Sequence, residues 1–165
     1  MKIKNIALVG NPNCGKTSLF NTLTGTRQKV ANYAGVTVER KEGSFKLPSG
    51  DAVRVLDLPG TYSLKPSSLD EEVTRAVCLG ELKGEVLPDI FICVVDATNL
   101  SLHLSLVLEV RALNRPMILV LNMMDEVKKR GISIDKDKLS QLLGIPVVEA
   151  VAVKTKGIQD LINQL

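Results

Sequence analysis

The strongest constraint on this chain lies near its start. An apolar run, Ile6-Ala7-Leu8-Val9, leads into Gly10-Asn11-Pro12-Asn13-Cys14-Gly15-Lys16-Thr17 and then into Ser18-Leu19-Phe20-Asn21-Thr22-Leu23. In order, these are a buried strand, a tight loop bounded by glycines, and a helix. The loop has the form G-x-x-x-x-G-K-T, in the strand–loop–helix setting that a phosphate-binding loop requires. Successive backbone N–H groups make an anion-binding concavity, and the helix N-terminus adds its dipole. Lys16 supplies a point charge for the outer phosphates, and Thr17 a hydroxyl for Mg²⁺. Gly10 to Ser18 is therefore the candidate nucleotide-binding stretch.

Strand and helix signals alternate along the rest of the chain. Strands are expected at 3–9, 39–47, 53–57, 89–96, 116–121 and 145–148. Helices are expected after Gly15, from Ser68 or Asp70, and over 99–113, 125–130, 135–143 and 157–165. Pro48-Ser49-Gly50-Asp51 has the chemistry of a hairpin turn, and Ser68-Leu69-Asp70-Glu71 that of a capping box. Residues 25–40 show no clean period and read as one long irregular segment, which in a compact domain is usually functional or mobile. The alternation implies one α/β domain over residues 1–165. Its expected core is a doubly wound, mostly parallel six-stranded sheet with one antiparallel strand.

Composition narrows the function classes. Aromatic residues are only 3% of the 165, so the core must be aliphatic. The net charge of +3 comes from scattered residues, which gives no nucleic-acid or membrane patch. Cys14, Cys78 and Cys93 share no close spacing and His103 is the single histidine, which argues against a zinc site or a disulfide framework and fits a reducing compartment. His103 itself reads as a surface or hydrogen-bonded helix residue. No apolar run reaches membrane-spanning length.

Ligands of open α/β sheets sit beyond the carboxyl ends of the strands, and the suggestive residues fall there. Asp57-Leu58-Pro59-Gly60 places a carboxylate for Mg²⁺, usually through a water, and a glycine N–H that can approach a γ-phosphate. Asn122-Met123-Met124-Asp125 follows a buried strand. Guanine offers N1–H and N2–H₂ donors that one carboxylate accepts together, whereas Asp125 would repel the N1 acceptor of adenine. Asn122 could tie the base edge or the phosphate loop; otherwise it is a helix cap. Thr37, in Gly35-Val36-Thr37, lies late in the irregular segment, where a second Mg²⁺ hydroxyl ligand would have to come from a mobile loop.

These blocks together resemble the translation-factor-related branch of small GTPases. Five stretches resemble one family more closely, the cytoplasmic G domain of the bacterial ferrous iron transport protein B. They are residues 10–25, Asn32-Tyr-Ala-Gly-Val-Thr-Val-Glu-Arg-Lys-Glu-Gly43, Asp57-Leu-Pro-Gly-Thr-Tyr-Ser-Leu64, Val95-Asp-Ala-Thr-Asn-Leu100 and Leu121-Asn-Met-Met-Asp125. The resemblance implies GTP and GDP as ligands and Mg²⁺ and K⁺ as cofactors, with K⁺ held by Asn11 and by backbone carbonyls near Ala31–Tyr33. It implies hydrolysis served by Asn11, Lys16, Thr37 and Gly60, with Thr61 standing where many small GTPases have a water-orienting glutamine. It further implies a helical regulatory domain and a transmembrane iron-transport part beyond this region. The chain would then be the cytoplasmic part of a bacterial inner-membrane protein, with homo-oligomers allowed and no nucleic acid. The last helix ends without a C-cap, as in a chain cut from a longer one.

Two positions depart from the family's usual pattern. The last guanine-site motif usually reads Ser-Ala-Lys, and here it is Ala152-Val153-Lys154. This keeps the backbone N–H contacts to guanine O6 but loses the serine hydroxyl, a change consistent with weak nucleotide affinity and fast GDP release. Cys14 replaces a more usual serine. A thiol near a helix N-terminus is a candidate for a lowered pKa, against the blander reading of a small side chain facing away from phosphate. The resulting expectation is a GTP-hydrolysing switch domain. Its rivals are a non-catalytic nucleotide-gated module, a GTPase acting on RNA or the ribosome, and an ATP-specific kinase.

Overall fold

The computed structural model describes residues 2–165. Seven strands, β1 (Asn5–Gly10), β2 (Gln28–Asn32), β3 (Glu39–Lys46), β4 (Ala52–Asp57), β5 (Ile90–Asp96), β6 (Met117–Asn122) and β7 (Val147–Glu149), form one sheet in the order β2-β3-β4-β1-β5-β6-β7. Its helices are α1 (Lys16–Thr24), α2 (Leu69–Leu79), α3 (Leu100–Arg111), α4 (Met124–Lys129), α5 (Lys136–Leu143) and α6 (Ile158–Asn163), with 3-10 turns at Ala97–Asn99 and Ala152–Lys154. β3 is the one strand running against the rest; β1 pairs in parallel with β4 and β5, as β6 does with β5 and β7.

The sheet has seven strands where the sequence suggests six. The extra strand, β2, lies inside the segment expected to be irregular. All five of its residues are exposed, so it carries no burial pattern, and its ladder to β3 alone holds it.

The central strands are apolar on both faces because both are covered. Ala7 and Val9 of β1 face a core that includes Val73 and Val77 of α2 and Leu106, Val107 and Val110 of α3. Ile6 and Leu8 face the opposite core, built with Leu19, Phe20 and Leu23 of α1 and Leu161 of α6. Strand β5 divides the same way, Phe91, Cys93 and Val95 against Ile90, Ile92 and Val94. This alternation fixes the register, since a slip of one residue would exchange the two cores.

Local signals end the elements as anticipated. The β3–β4 turn closes with Leu47 N–H to Asp51 O at 2.9 Å and Gly50 N–H to Leu47 O at 2.8 Å. Ser68 Oγ caps α2 by accepting Glu71 N–H, while the Glu71 carboxylate turns back to Ser67 N–H at 3.0 Å. Asp135 caps α5, and Gly144 ends it in the left-handed region. His103 departs from expectation. It is buried in α3 with Nδ1 unpartnered, and burial lowers its pKa. Among the described residues, no helix is long and apolar enough to cross a membrane.

Candidate nucleotide-binding site

The site is assembled where β1, β4 and β6 end. Gly10 closes β1 in a place with no room for a side chain. A Cβ there would lie 2.6 Å from Val94 O and 2.7 Å from Cys14 Sγ. The loop turns through Asn13 (φ 63°) and Gly15 (φ 89°), and Gly15 is the N-cap of α1. A Cβ on Gly15 would fall 2.0 Å from Asn122 Nδ2. The first main-chain bond into the helix is Leu19 N–H to Gly15 O. The N–H groups of the preceding turn therefore have no acceptor within the helix, and a helix N-terminus of this kind attracts an anion. Pro12, Asn13, Gly15, Lys16, Thr17 and Ser18 line the resulting cleft, and Thr17 is exposed to it.

Two side chains in the loop stand out. Asn11 is 2% exposed, and neither its Nδ2 nor its Oδ1 has a hydrogen-bond partner among the described residues. Burying a carboxamide this way costs free energy unless something else satisfies it. Cys14 is buried, and burial pushes its thiol up, ahead of the lowering by the Lys16 N–H and charge. The idea of a lowered Cys14 pKa is thus overturned: desolvation outweighs the helix terminus.

At the end of β4, Asp57 and Leu58 are buried. Lys16 Nζ donates to Asp57 Oδ1, and both side chains lie almost wholly out of solvent. Lys16 is thereby held over the end of the sheet by the carboxylate expected to serve Mg²⁺. Gly60 lies on the phosphate loop, where a Cβ would sit 3.1 Å from three Pro12 atoms. Thr61 is wholly buried, with its N–H donating to Gly10 O at 3.0 Å. Pro59 O accepts the Thr74 hydroxyl at 3.0 Å, which ties this loop to α2.

At the end of β6, Asn122 is a brace between loops and not a helix cap. Its Nδ2 donates to Cys14 O and its Oδ1 accepts from Ala152 N–H, each at 3.0 Å. Met123 takes the N-cap position of α4 with φ 63° and no side-chain cap. Met124 is buried beneath the helix. Asp125 projects at the cleft, where Lys154 Nζ donates to it at 3.1 Å and holds its carboxyl below the usual range. Ala152 N–H is committed to Asn122 and Lys154 N–H to Val151 O at 2.9 Å, which leaves Val153, 74% exposed, as the residue of that motif whose main-chain N–H can serve a ligand.

One cleft of about 770 Å³ joins these parts, a size suited to a small-molecule ligand. It is lined at one end by the phosphate loop and Gly60 and at the other by Asn122, Met123, Asp125 and Val153. Asp70, Glu126 and Val151 also line it and were not singled out from the sequence. Asp70 was visible as an acid in the first turn of a capped helix, and Val151 as the neighbour of Ala152. Gly35, Val36 and Thr37 do not line the cleft. Tyr33 and Val38 are buried and close a turn through Tyr33 N–H to Val38 O at 3.0 Å, which leaves Thr37 exposed. Val38 and Glu39 instead line a smaller depression beside Thr17, Asp57 and Gly60. Ala31 and Asn32, in the segment expected to offer carbonyls to K⁺, are paired within β2 to Arg40 and Glu39.

Known proteins share this fold and much of this sequence. The family described as Ferrous iron transport protein B matches residues 4–165. The Fe(2+) transporter FeoB of Salmonella typhimurium is 49% identical over 165 residues, covering 98% of this chain and 21% of the relative. The crystal structure of the G domain of the T. maritima FeoB iron transporter superposes with a TM-score of 0.88 at 45% identity, covering 99% of this chain and 96% of that one. The cytosolic domain of the same T. maritima transporter in its GMPPNP form gives a TM-score of 0.90 at 45% identity, covering 98% of this chain and 63% of that one. The chain thus spans about a fifth of the length of the curated relative.

Proposed function

The chain belongs to the Ferrous iron transport protein B family, as one of its G domains, and on that footing we propose that it binds GTP with Mg²⁺ and hydrolyses it as a switch for iron transport. The observation that carries the reading is the single cleft, with a phosphate loop at one end and the Asp125 carboxylate at the other. A T. maritima relative has a GMPPNP form, which supports a guanine nucleotide as the ligand.

Each residue has a task in this reading. The N–H groups of the first turn of α1 receive the phosphate oxygens, and Lys16 turns from Asp57 to the outer phosphates. Asp125 accepts the two donors of the guanine edge, while Asn122 keeps the phosphate loop and residues 152–154 in register beneath the base. In hydrolysis a water oxygen bonds to the γ-phosphorus as the bridging oxygen leaves with GDP, and one water proton passes to the phosphate product. The positive groups around the γ-phosphate stabilise the charge that spreads over its oxygens.

The donor set fits the two cations. Thr17 and Asp57 supply hard oxygens suited to Mg²⁺, and Thr37 completes that set only if the turn after Tyr33 opens. The unpartnered, buried carboxamide of Asn11 fits a K⁺ ligand. When bound, these ions supply positive charge against the phosphate oxygens. Opening and closing of the Thr37 and Gly60 loops with the γ-phosphate would make the domain a switch for a membrane-borne iron transporter on the cytoplasmic side.

Calorimetric titration with GDP and ATP in Mg²⁺ buffer tests the base assignment. GDP binding that Asp125→Ala weakens at least tenfold, beside undetectable ATP binding, is the expected result. Equal affinity for both nucleotides would overturn the assignment.

A further inference from the structure

Glu109 lies on α3, an element that contributes no residue to the nucleotide cleft. Its carboxylate nevertheless reaches the segment that follows Gly60. Ser63 Oγ donates to the two carboxylate oxygens at 2.9 and 3.1 Å, and Leu64 N–H donates to Oε2 at 2.6 Å. Inside the segment, Thr61 Oγ1 donates to Ser63 O at 2.6 Å, and Ser63 Oγ accepts Lys65 N–H at 3.0 Å. The upstream end is fastened to the phosphate loop by Thr61 N–H to Gly10 O and by the packing of Gly60 on Pro12.

We propose that Glu109 is a positioning residue for GTP hydrolysis, holding residues 60–64 from α3 so that Gly60 and Thr61 keep one arrangement against the phosphate loop. The inference rests on the reading of the cleft as a GTP-hydrolysing site. An ionised carboxylate suits the task, because it accepts a hydroxyl and a backbone N–H together and its charge strengthens both bonds. Between Thr61 and the Ser67–Glu71 contact at the start of α2, the segment's other hold is half-buried Leu64 packing against the core, while Tyr62 is 55% exposed and Lys65 is exposed. Helix α3 has its own anchorage through Leu106, Val107 and Val110, so Glu109 is not needed to dock it. The tether therefore acts on the loop beside the γ-phosphate position and not on the base end of the cleft.

The test compares Glu109→Ala and Glu109→Gln with the unaltered chain in single-turnover GTP hydrolysis, in binding of a fluorescent GDP analogue, and in amide exchange at Leu64. Glu109→Ala should slow hydrolysis about tenfold, the worth of one charge-assisted hydrogen bond, and leave GDP-analogue affinity within about twofold. It should also speed exchange at Leu64. Glu109→Gln can accept from Leu64 N–H and donate to Ser63 Oγ, and should recover most of the rate. An unchanged rate in Glu109→Ala, a glutamine variant no better than the alanine, or a parallel loss of rate, GDP affinity and melting temperature would overturn the positioning role. An unaltered chain that hydrolyses no GTP would instead overturn the parent reading. Leu64 exchange separates the two failures, because it reports the tether without any turnover.

Discussion

Replacing Asn122 by alanine should destabilise the fold and uncouple both ends of the cleft. The carboxamide is 3% exposed and makes two hydrogen bonds at 3.0 Å, one to the phosphate loop and one from Ala152. Truncation leaves Cys14 O and Ala152 N–H without their partner, and an orphaned buried polar group costs roughly 1–3 kcal/mol. Cys14 and Ala152 are each only 1% exposed, but Asn122 itself lines the cleft, so the space vacated by its carboxamide opens toward solvent and a water entering it would hold each loss to the lower end of that range. Together they give a loss of about 2–3 kcal/mol. Urea denaturation without nucleotide is the assay, since a bound ligand would add its own stabilisation. The midpoint should fall with the slope unchanged. Asn122→Asp keeps the volume and the acceptor for Ala152 but sets a carboxylate oxygen against Cys14 O, and it should be equally damaging. A loss below about 0.5 kcal/mol, the range of ordinary surface substitutions, would refute the brace.

Three further outcomes follow from the same geometry. Gly15→Ala combines a Cβ 2.0 Å from Asn122 Nδ2 with φ 89°, so it should lower the melting temperature and abolish GDP binding, as calorimetry would show. Lys154→Ala should raise the Asp125 pKa toward the ordinary carboxylate range in an NMR titration, because the Lys154 hydrogen bond is the leading cause of its depression. A third test concerns a charge cluster in which Glu42 and Glu85 pair with Arg40 and Arg54. Burial raises both carboxyls, but hydrogen bonds from the two guanidinium groups outweigh it and hold them low. A depressed folded pKa stabilises above the unfolded value, about 4.3, and the gain is lost as pH falls through the folded value. The stability gap between the unaltered chain and Glu85→Gln should therefore be widest near neutral pH and close on acidification.

What the sequence revealed followed from how local each signal is. The phosphate loop was legible because strand, glycines, Lys16 and helix are contiguous, and the buried strands because they are apolar on both faces. Strand β2 was not, since Gln28–Asn32 are exposed on both sides and are ordered by backbone pairing to β3. Asn122 was visible as a site residue, but the choice between cap, base contact and brace depends on Cys14 and Ala152, which are remote in sequence. Thr37 was placed by its position before a strand, and the burial of Tyr33 and Val38 on either side turns it outward. Glu109 carries no local signal in the sequence, and only the fold sets it against Ser63 and Leu64.

The most direct measurement is single-turnover GTP hydrolysis in Mg²⁺ buffer with K⁺ or Na⁺ as the monovalent ion, on the unaltered chain and on Asn11→Ala. Asn11 is the group to alter because its carboxamide is buried at the phosphate loop with both polar atoms unpartnered. Faster hydrolysis in K⁺ than in Na⁺, with Asn11→Ala losing the K⁺ effect while still binding GDP, is the predicted result. Equal, near-background rates in both salts would contradict a K⁺-activated GTPase and leave a domain that only binds its nucleotide.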